Sequence, residues 1–179
     1  MVRRKAAVDP LFDDFVRAHA PILLRTAVLI TGDRGHAEDL VQTTLLRTAG
    51  RWSVAAASPK AYAFRVLINL GRDRARRLRR RIPEDLSGTM EMPFLSPAGV
   101  DETATVLDRQ LLTSALAELT AAQREVVVLR FLGDLSVAET ATVLRISEGA
   151  VKSTTAKATA RLKLLLTDEP LPPEVHSDY

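Results

Sequence analysis

Between Gly71 and Ile82 the chain sets seven arginines and one aspartate into twelve positions, "GRDRARRLRRRI". Guanidinium groups stay protonated at any physiological pH and offer only donors, so the chemistry open to such a run is electrostatic pairing with phosphate or carboxylate oxygens. On a helix turning 100° per residue, Asn69, Arg72, Arg76, Arg79 and Arg80 fall within about 60° of Arg65. An apolar stripe of Phe64, Leu67, Ile68, Ala75, Leu78 and Ile82 runs beside them, and Arg74, Arg77 and Arg81 form a further cationic edge. An ordinary solvated face mixes acids with bases. Here Asp73 is the only acid, so the row is expected to repel itself and to draw little support from its own chain. A surface meeting nucleic-acid phosphates fits best, because each neutralised phosphate releases condensed counterions. Asn69 stands where it can touch a base edge or sugar. A merely solubilising face and an anionic membrane surface are the alternatives, the latter lacking interleaved apolar anchors.

The second constellation is "LSVAETATVLRISEGAVKSTTAKATARLK", residues 135–163. A short capped helix, a tight turn and a longer basic helix have the layout of a helix-turn-helix. Val151, Thr155, Ala158, Leu162 and Leu165 share the side that packs. Lys152, Ser153, Ala156 and Ala160 point away, with Lys157 and Arg161 on a flank. Small residues there let the helix sit in a groove about 12 Å wide, and the free amides near Ser147 and Glu148 favour a phosphate. A plain helical hairpin closing a bundle is the competing reading. No paired-carboxylate, nucleophile–base, Walker or metal-ligand pattern is visible, and His19, His36 and His176 are scattered. The expectation is no catalytic residue, no metal and no cofactor.

The elements that must carry these faces read as helix nearly everywhere, so the expected fold class is all-α. Residues 11–30 repeat apolar positions at three- and four-residue steps, with Pro21 expected to kink or split the helix and Gly32 to end it. A second helix starts near Asp33 and buries Ala37, Leu40, Val41, Thr44, Leu45 and Thr48. "SVAAASP" reads as a loop, and Ser58-Pro59 opens a long helix to about Ile82. Residues 83–105 hold three prolines, two glycines and five acids without an apolar period, a linker pattern. Beyond it a helix near 105–119 is expected to bury Val106, Leu107, Leu111, Leu112, Ala115 and Leu116. "TAAQ" and "SVAE" are capping boxes for the next two helices, the first running through Val126, Val127, Leu129 and Phe131.

Composition agrees. Only 4% of residues are aromatic, so Leu, Val, Ile and Ala must fill the core, which suits helical bundles. The chain has no cysteine, which removes disulfides and thiolate chemistry and fits a reducing cytoplasm. No apolar run approaches the roughly 20 residues of a membrane span, and the basic start lacks a signal-peptide core, so no membrane insertion is expected. Four acids in "TDEPLPPEVHSDY" mask a basic body: residues 1–166 carry +7 against +3 for the whole chain.

The segments "AEDLVQTTLLR" (37–47), "RW" (51–52), "SPKAYAFRVLINLGRDRARR" (58–77), "LTAAQREVVVLRFLGDLSVAETATVL" (119–144) and "SEGAVKSTTAKATARLK" (147–163), in this order and spacing, resemble the sigma-70 family of RNA polymerase sigma factors in its extracytoplasmic-function branch. The resemblance implies two small helical domains, 1–82 and 105–166, joined by a flexible acidic linker at 83–104 and followed by an acidic disordered tail at 167–179. It implies an alternative, non-enzymatic, cytoplasmic sigma factor that binds core polymerase and directs promoter-specific initiation. Glu38, Asp39, Gln42, Arg51 and Trp52 would dock the clamp helices of the polymerase's largest subunit, and the flap of the second-largest subunit would be a further contact. Loop 53–58 would capture a flipped −10 base. Arg65, Asn69, Arg72, Arg76, Arg79 and Arg80 would read and melt the −10 element, and Arg145, Ser147, Glu148, Gly149, Lys152, Ser153 and Lys157 the −35 element. An anti-sigma factor is left open as another partner. Two departures stand out: Arg145 occupies a turn position where the family often has glycine, and Ala156-Lys157 stands where many members carry arginine.

Overall fold

A computed structural model describes residues 9–80 and 106–167. The linker read at 83–104 and the tail beyond Thr167 lie outside them. Helix α1 spans Pro10–Thr31, α2 Arg34–Ala49, α3 Trp52–Ala55 and α4 Pro59–Arg79. In the second block α5 spans Val106–Ala117, α6 Ala121–Val127, α7 Val137–Leu144 and α8 Glu148–Thr167, with a π-helical turn, Val128–Leu132, following α6. Among the described residues there is no strand, and the all-α expectation holds.

Local signals explain most boundaries. Asp9 accepts the Leu11 amide at 2.9 Å with Pro10 in the first turn, and Gly32 ends α1 at φ 68°. Asp33 caps α2 by accepting the His36 amide at 2.7 Å, which holds its carboxyl below the usual range. Both capping boxes form: Thr120 with Gln123 and Ser136 with Glu139, each side chain bonding the other's backbone amide. The Ser136 amide also lowers the Glu139 carboxyl below its ordinary value.

Four expectations need correction. Pro21 does not split α1, which runs through it. The proline is exposed, so its ring meets solvent and only one helical hydrogen bond is lost. The segment read as a loop contains α3, because Arg51 O accepts the Val54 and Ala55 amides and alanine favours helix. Leu112 is 49% exposed, while Ala115 and Leu116 further along α5 are buried; the side chains of Val106 and Leu107 lie outside the described set. The helix expected to run through Phe131 widens after Val127, and Phe131 turns outward at 65% exposure while Leu129 is fully buried.

The two blocks are not separate bodies. Phe15, Leu23, Phe64, Leu67 and Ile68 of the first share one buried cluster with Val126, Leu129, Leu135, Val143 and Val151 of the second. Leu29 of α1 packs on a second cluster formed by Leu116, Leu119, Val127 and Ala158. This shared core decides where the arginine-bearing face of α4 points.

Candidate nucleic-acid interface

Helix α4 presents its arginines unequally. Asn69, Arg76 and Arg80 are exposed, while Arg65 and Arg72 are half-buried; the Arg79 side chain lies outside the described set. The Nε of Arg65 is buried without a hydrogen bond among the described residues. Arg76 is paired with Asp73 one turn away. Arg72 donates from Nε and Nη2 to the two carboxylate oxygens of Glu125, at 2.9 and 2.6 Å. This contact, led by the hydrogen bond, holds the Arg72 proton more tightly than in a free arginine. The expectation that the row gains little from its own chain is therefore overturned at Arg72. The acid that engages it lies 53 residues away, where no helical-wheel argument reaches. A signal was present: Glu125 is an isolated acid at the head of the apolar run Val126–Val127–Val128–Leu129.

The helix-turn-helix forms as read. Val151 and Ala158 are fully buried, and Thr155, Leu162 and Leu165 are half-buried against the block. Arg145, Ser147, Glu148, Gly149, Lys152, Ser153 and Lys157 are all exposed, giving one open cationic face around the start of α8. Ser147 Oγ accepts the Ala150 amide at 3.1 Å and caps that helix. Arg145 sits at φ 59°, ψ 48°, a left-handed conformation that a β-carbon disfavours.

On α2, Glu38, Asp39 and Gln42 are exposed, with Glu38 accepting Arg34 Nε at 3.0 Å. Leu46 shares their face at four- and seven-residue steps and is 74% exposed, an apolar contribution that the polar pattern hides. Arg51 is exposed. Trp52 is half-buried, edge-on to Phe12 at 5.1 Å and tilted against Phe15 at 5.5 Å, so it anchors the start of α3 to α1. A groove of about 400 Å³ between α2 and α4 brings Asp39 alongside Arg47, Arg74 and Arg77, over Leu40, Leu70 and Leu78. Arg74 and Arg77 of the cationic edge thus face this groove, and Arg81 lies outside the described residues.

No helix among the described residues is long and apolar enough to cross a membrane, and among them no cluster of three His, Asp or Glu side chains could hold a metal. Residues 15–81 match the family described as Sigma-70 region 2, and residues 109–162 match Sigma-70, region 4. The chain is 41% identical over 156 residues to an RNA polymerase sigma-E factor of Streptomyces avermitilis, covering 85% of this chain and 83% of that one. It is 37% identical over 169 residues to the ECF RNA polymerase sigma factor SigL of Mycobacterium tuberculosis, covering 91% and 90%. Among solved structures, the sigma factor RpoE of Bartonella quintana, in complex with the anti-sigma factor NepR, aligns at a TM-score of 0.77 and 26% identity over 90% of this chain and all of that one. CnrH in complex with the cytosolic domain of CnrY aligns at 0.59 and 25% identity, over 89% of both.

Proposed function

The chain belongs to the sigma-70 family of RNA polymerase sigma factors, and from that premise we propose that it is an alternative sigma factor whose two blocks divide the promoter between them. It binds core polymerase and directs initiation at its own promoter class. In this reading the block carrying α1 to α4 corresponds to residues 1–82 and serves the −10 element, and the block at 105–166 serves the −35 element. The carrying observation is the exposed cationic face around Arg145, Lys152 and Lys157, at the head of a helix whose opposite side is buried. That is how a recognition helix enters a major groove.

The −10 assignment draws on the exposed Asn69, Arg76 and Arg80, of which Arg76 is paired with Asp73 at the surface, together with Arg65, Arg72 and Arg79 on the same helix. Glu38, Asp39, Gln42 and Arg51 offer a mostly polar dock for the clamp helices, with Leu46 beside them and Trp52 holding the following helix, α3, against α1. Bond-making in RNA synthesis stays with the polymerase, so the chain acts in the cytoplasm as a specificity factor and not as an enzyme. An anti-sigma factor belongs to the proposal, because RpoE of Bartonella quintana is held by one.

The test is reconstitution. Purified chain added to core polymerase should yield transcripts with uniform 5′ ends at a small set of promoters sharing −35 and −10 sequences. Core binding without promoter-specific transcripts, or tight duplex binding by a dimer that ignores polymerase, would count against the proposal.

A further inference from the structure

The groove between α2 and α4 has the lining that an acidic, partly apolar strand requires. Arg47, Arg74 and Arg77 stand in it against a single carboxylate, Asp39, with His36 beside them. Its floor is leucine: Leu70 is buried, and Leu40 and Leu78 are half-buried. Among the described residues none of the three guanidinium groups enters an ion pair, and Arg77 donates only to the backbone oxygen of Asp73, at 3.3 Å. Arg74 acts on Asp33 only through space, behind the His36 amide that mainly lowers that carboxyl. Like charges so gathered repel one another, and oxyanions entering the groove relieve that repulsion. Phosphate alone would leave the leucine floor in contact with water. A strand that sets acids between apolar side chains satisfies both walls.

The chain carries such a strand beside the groove. Helix α4 ends at Arg79, one residue beyond the groove-lining Leu78. Then comes "RIPEDL", residues 81–86, in which Glu84 and Asp85 stand between Ile82 and Leu86. Pro83 has no amide to donate and disfavours helix at Ile82, so the sequence favours a turn there. The lengths agree. Leu70 and Leu78 are about 12 Å apart along the helix, and five extended residues cover about 16 Å. A strand returning antiparallel to α4 brings Glu84 and Asp85 within reach of Arg77 and Arg74, and carries Leu86 toward Leu70. The acidic tail is less well placed, because it issues from α8, which packs on α5, α6 and α7.

We propose that residues 82–86 dock in this groove, with Glu84 and Asp85 pairing with Arg77 and Arg74 and the two apolar side chains lying on the leucine floor. Docking masks two arginines of the cationic edge from nucleic acid and fixes the course of the chain as it leaves α4. The contact lies within one chain, so it holds whether or not the sigma-factor assignment does.

The chain contains no cysteine, so a T43C/S87C pair in the full-length protein has only itself to oxidise. In a glutathione buffer this pair should close an intramolecular disulfide, with an effective concentration about tenfold above that of the same pair carrying E84K/D85K. Adding R74E/R77E to the reversed form should restore closure. Equal effective concentrations in the parent and reversed forms would overturn the proposal and leave the groove to another acidic segment. A disulfide joining two chains would overturn it in favour of a second copy. Masking is read without any crosslink. E84Q/D85Q should bind non-specific duplex about tenfold more tightly than D101N/E102Q, which removes the same charge farther along the chain, and the salt dependence should steepen by about 0.9 for each arginine released. Adding R74A/R77A to both should abolish the difference. Equal affinity of E84Q/D85Q and D101N/E102Q would show that the two arginines are not masked, and the docked arrangement would fall.

Discussion

Phe64 lies so close to Gly133 that a β-carbon built on the glycine would stand 3.1 Å from the ring's Cζ and 2.8 Å from the Leu129 carbonyl oxygen. Phe64 is on α4, while Gly133 closes the π-helical turn, donating its amide to Val128 O at 2.7 Å. The widened turn and the missing side chain together let the second block seat on the ring. Gly133→Ala should therefore destabilise by about 1–3 kcal/mol through overpacking. Phe64→Ala, which empties the centre of the shared core, should cost about 3–5 kcal/mol. Urea titrations followed by circular dichroism measure both. A Gly133→Ala protein as stable as the parent would show that the two blocks do not seat in this way.

Arg72 and Arg76 differ in their surroundings but share one face, and neutralising both should impair promoter opening by the holoenzyme. Each lost phosphate contact should lower the slope of log affinity against log salt by about 0.7–0.9. Filter binding of the R72A/R76A holoenzyme across a salt series gives the slope, and permanganate footprinting of the −10 region reports opening. Unchanged opening would place the strand-reading surface elsewhere.

Legibility in the sequence followed the range of the interactions. Helix starts at Asp33, Thr120 and Ser136 were readable because a cap and its amide lie within three residues. The inward side of α8 was readable because Val151, Thr155, Ala158 and Leu162 obey one helical period. The exposed faces of α2 and α8 followed from the same arithmetic. Glu125 did not, since its role depends on a partner in the other block, and neither did Leu46, whose exposure depends on which neighbours fail to cover it. The π-helical turn is likewise a tertiary product: its residues are ordinary helix formers apart from the glycine that ends it.

Leu46 offers a test of the polymerase dock that polar substitutions cannot give. It is the one large apolar side chain exposed on α2 and sits one turn beyond Gln42. If this face is buried against core, Leu46→Asp removes apolar contact and places a charge in the interface, whereas the free protein loses no packing. The expected result is core affinity weaker by about tenfold or more, with an unchanged unfolding midpoint. Burial of a leucine side chain contributes about 1.5–3 kcal/mol. Competition against a labelled sigma factor for core polymerase reads the affinity. Parent-like competition by Leu46→Asp would move the dock off this face.

If Arg145 meets −35 DNA as proposed, it should couple stability to DNA binding in opposite directions. Its φ of 59° is the left-handed conformation at the end of α7, where its amide reaches back to Ala141 O and the Ile146 amide does the same. An L-residue with a β-carbon loses roughly 1–2 kcal/mol in that conformation, and glycine does not. Glycine also gains freedom in the unfolded chain, which offsets part of the relief. Arg145→Gly should therefore stabilise the protein by about 0.5–1 kcal/mol in chemical denaturation. The same change deletes an exposed cation from the turn preceding α8, so affinity for −35 DNA should fall and its salt dependence should flatten. Arg145→Ala separates the two effects, because it removes the charge while keeping the strained β-carbon. It should match Arg145→Gly in DNA affinity and fall below it in stability. A glycine variant that is less stable than the alanine one would contradict the left-handed turn itself.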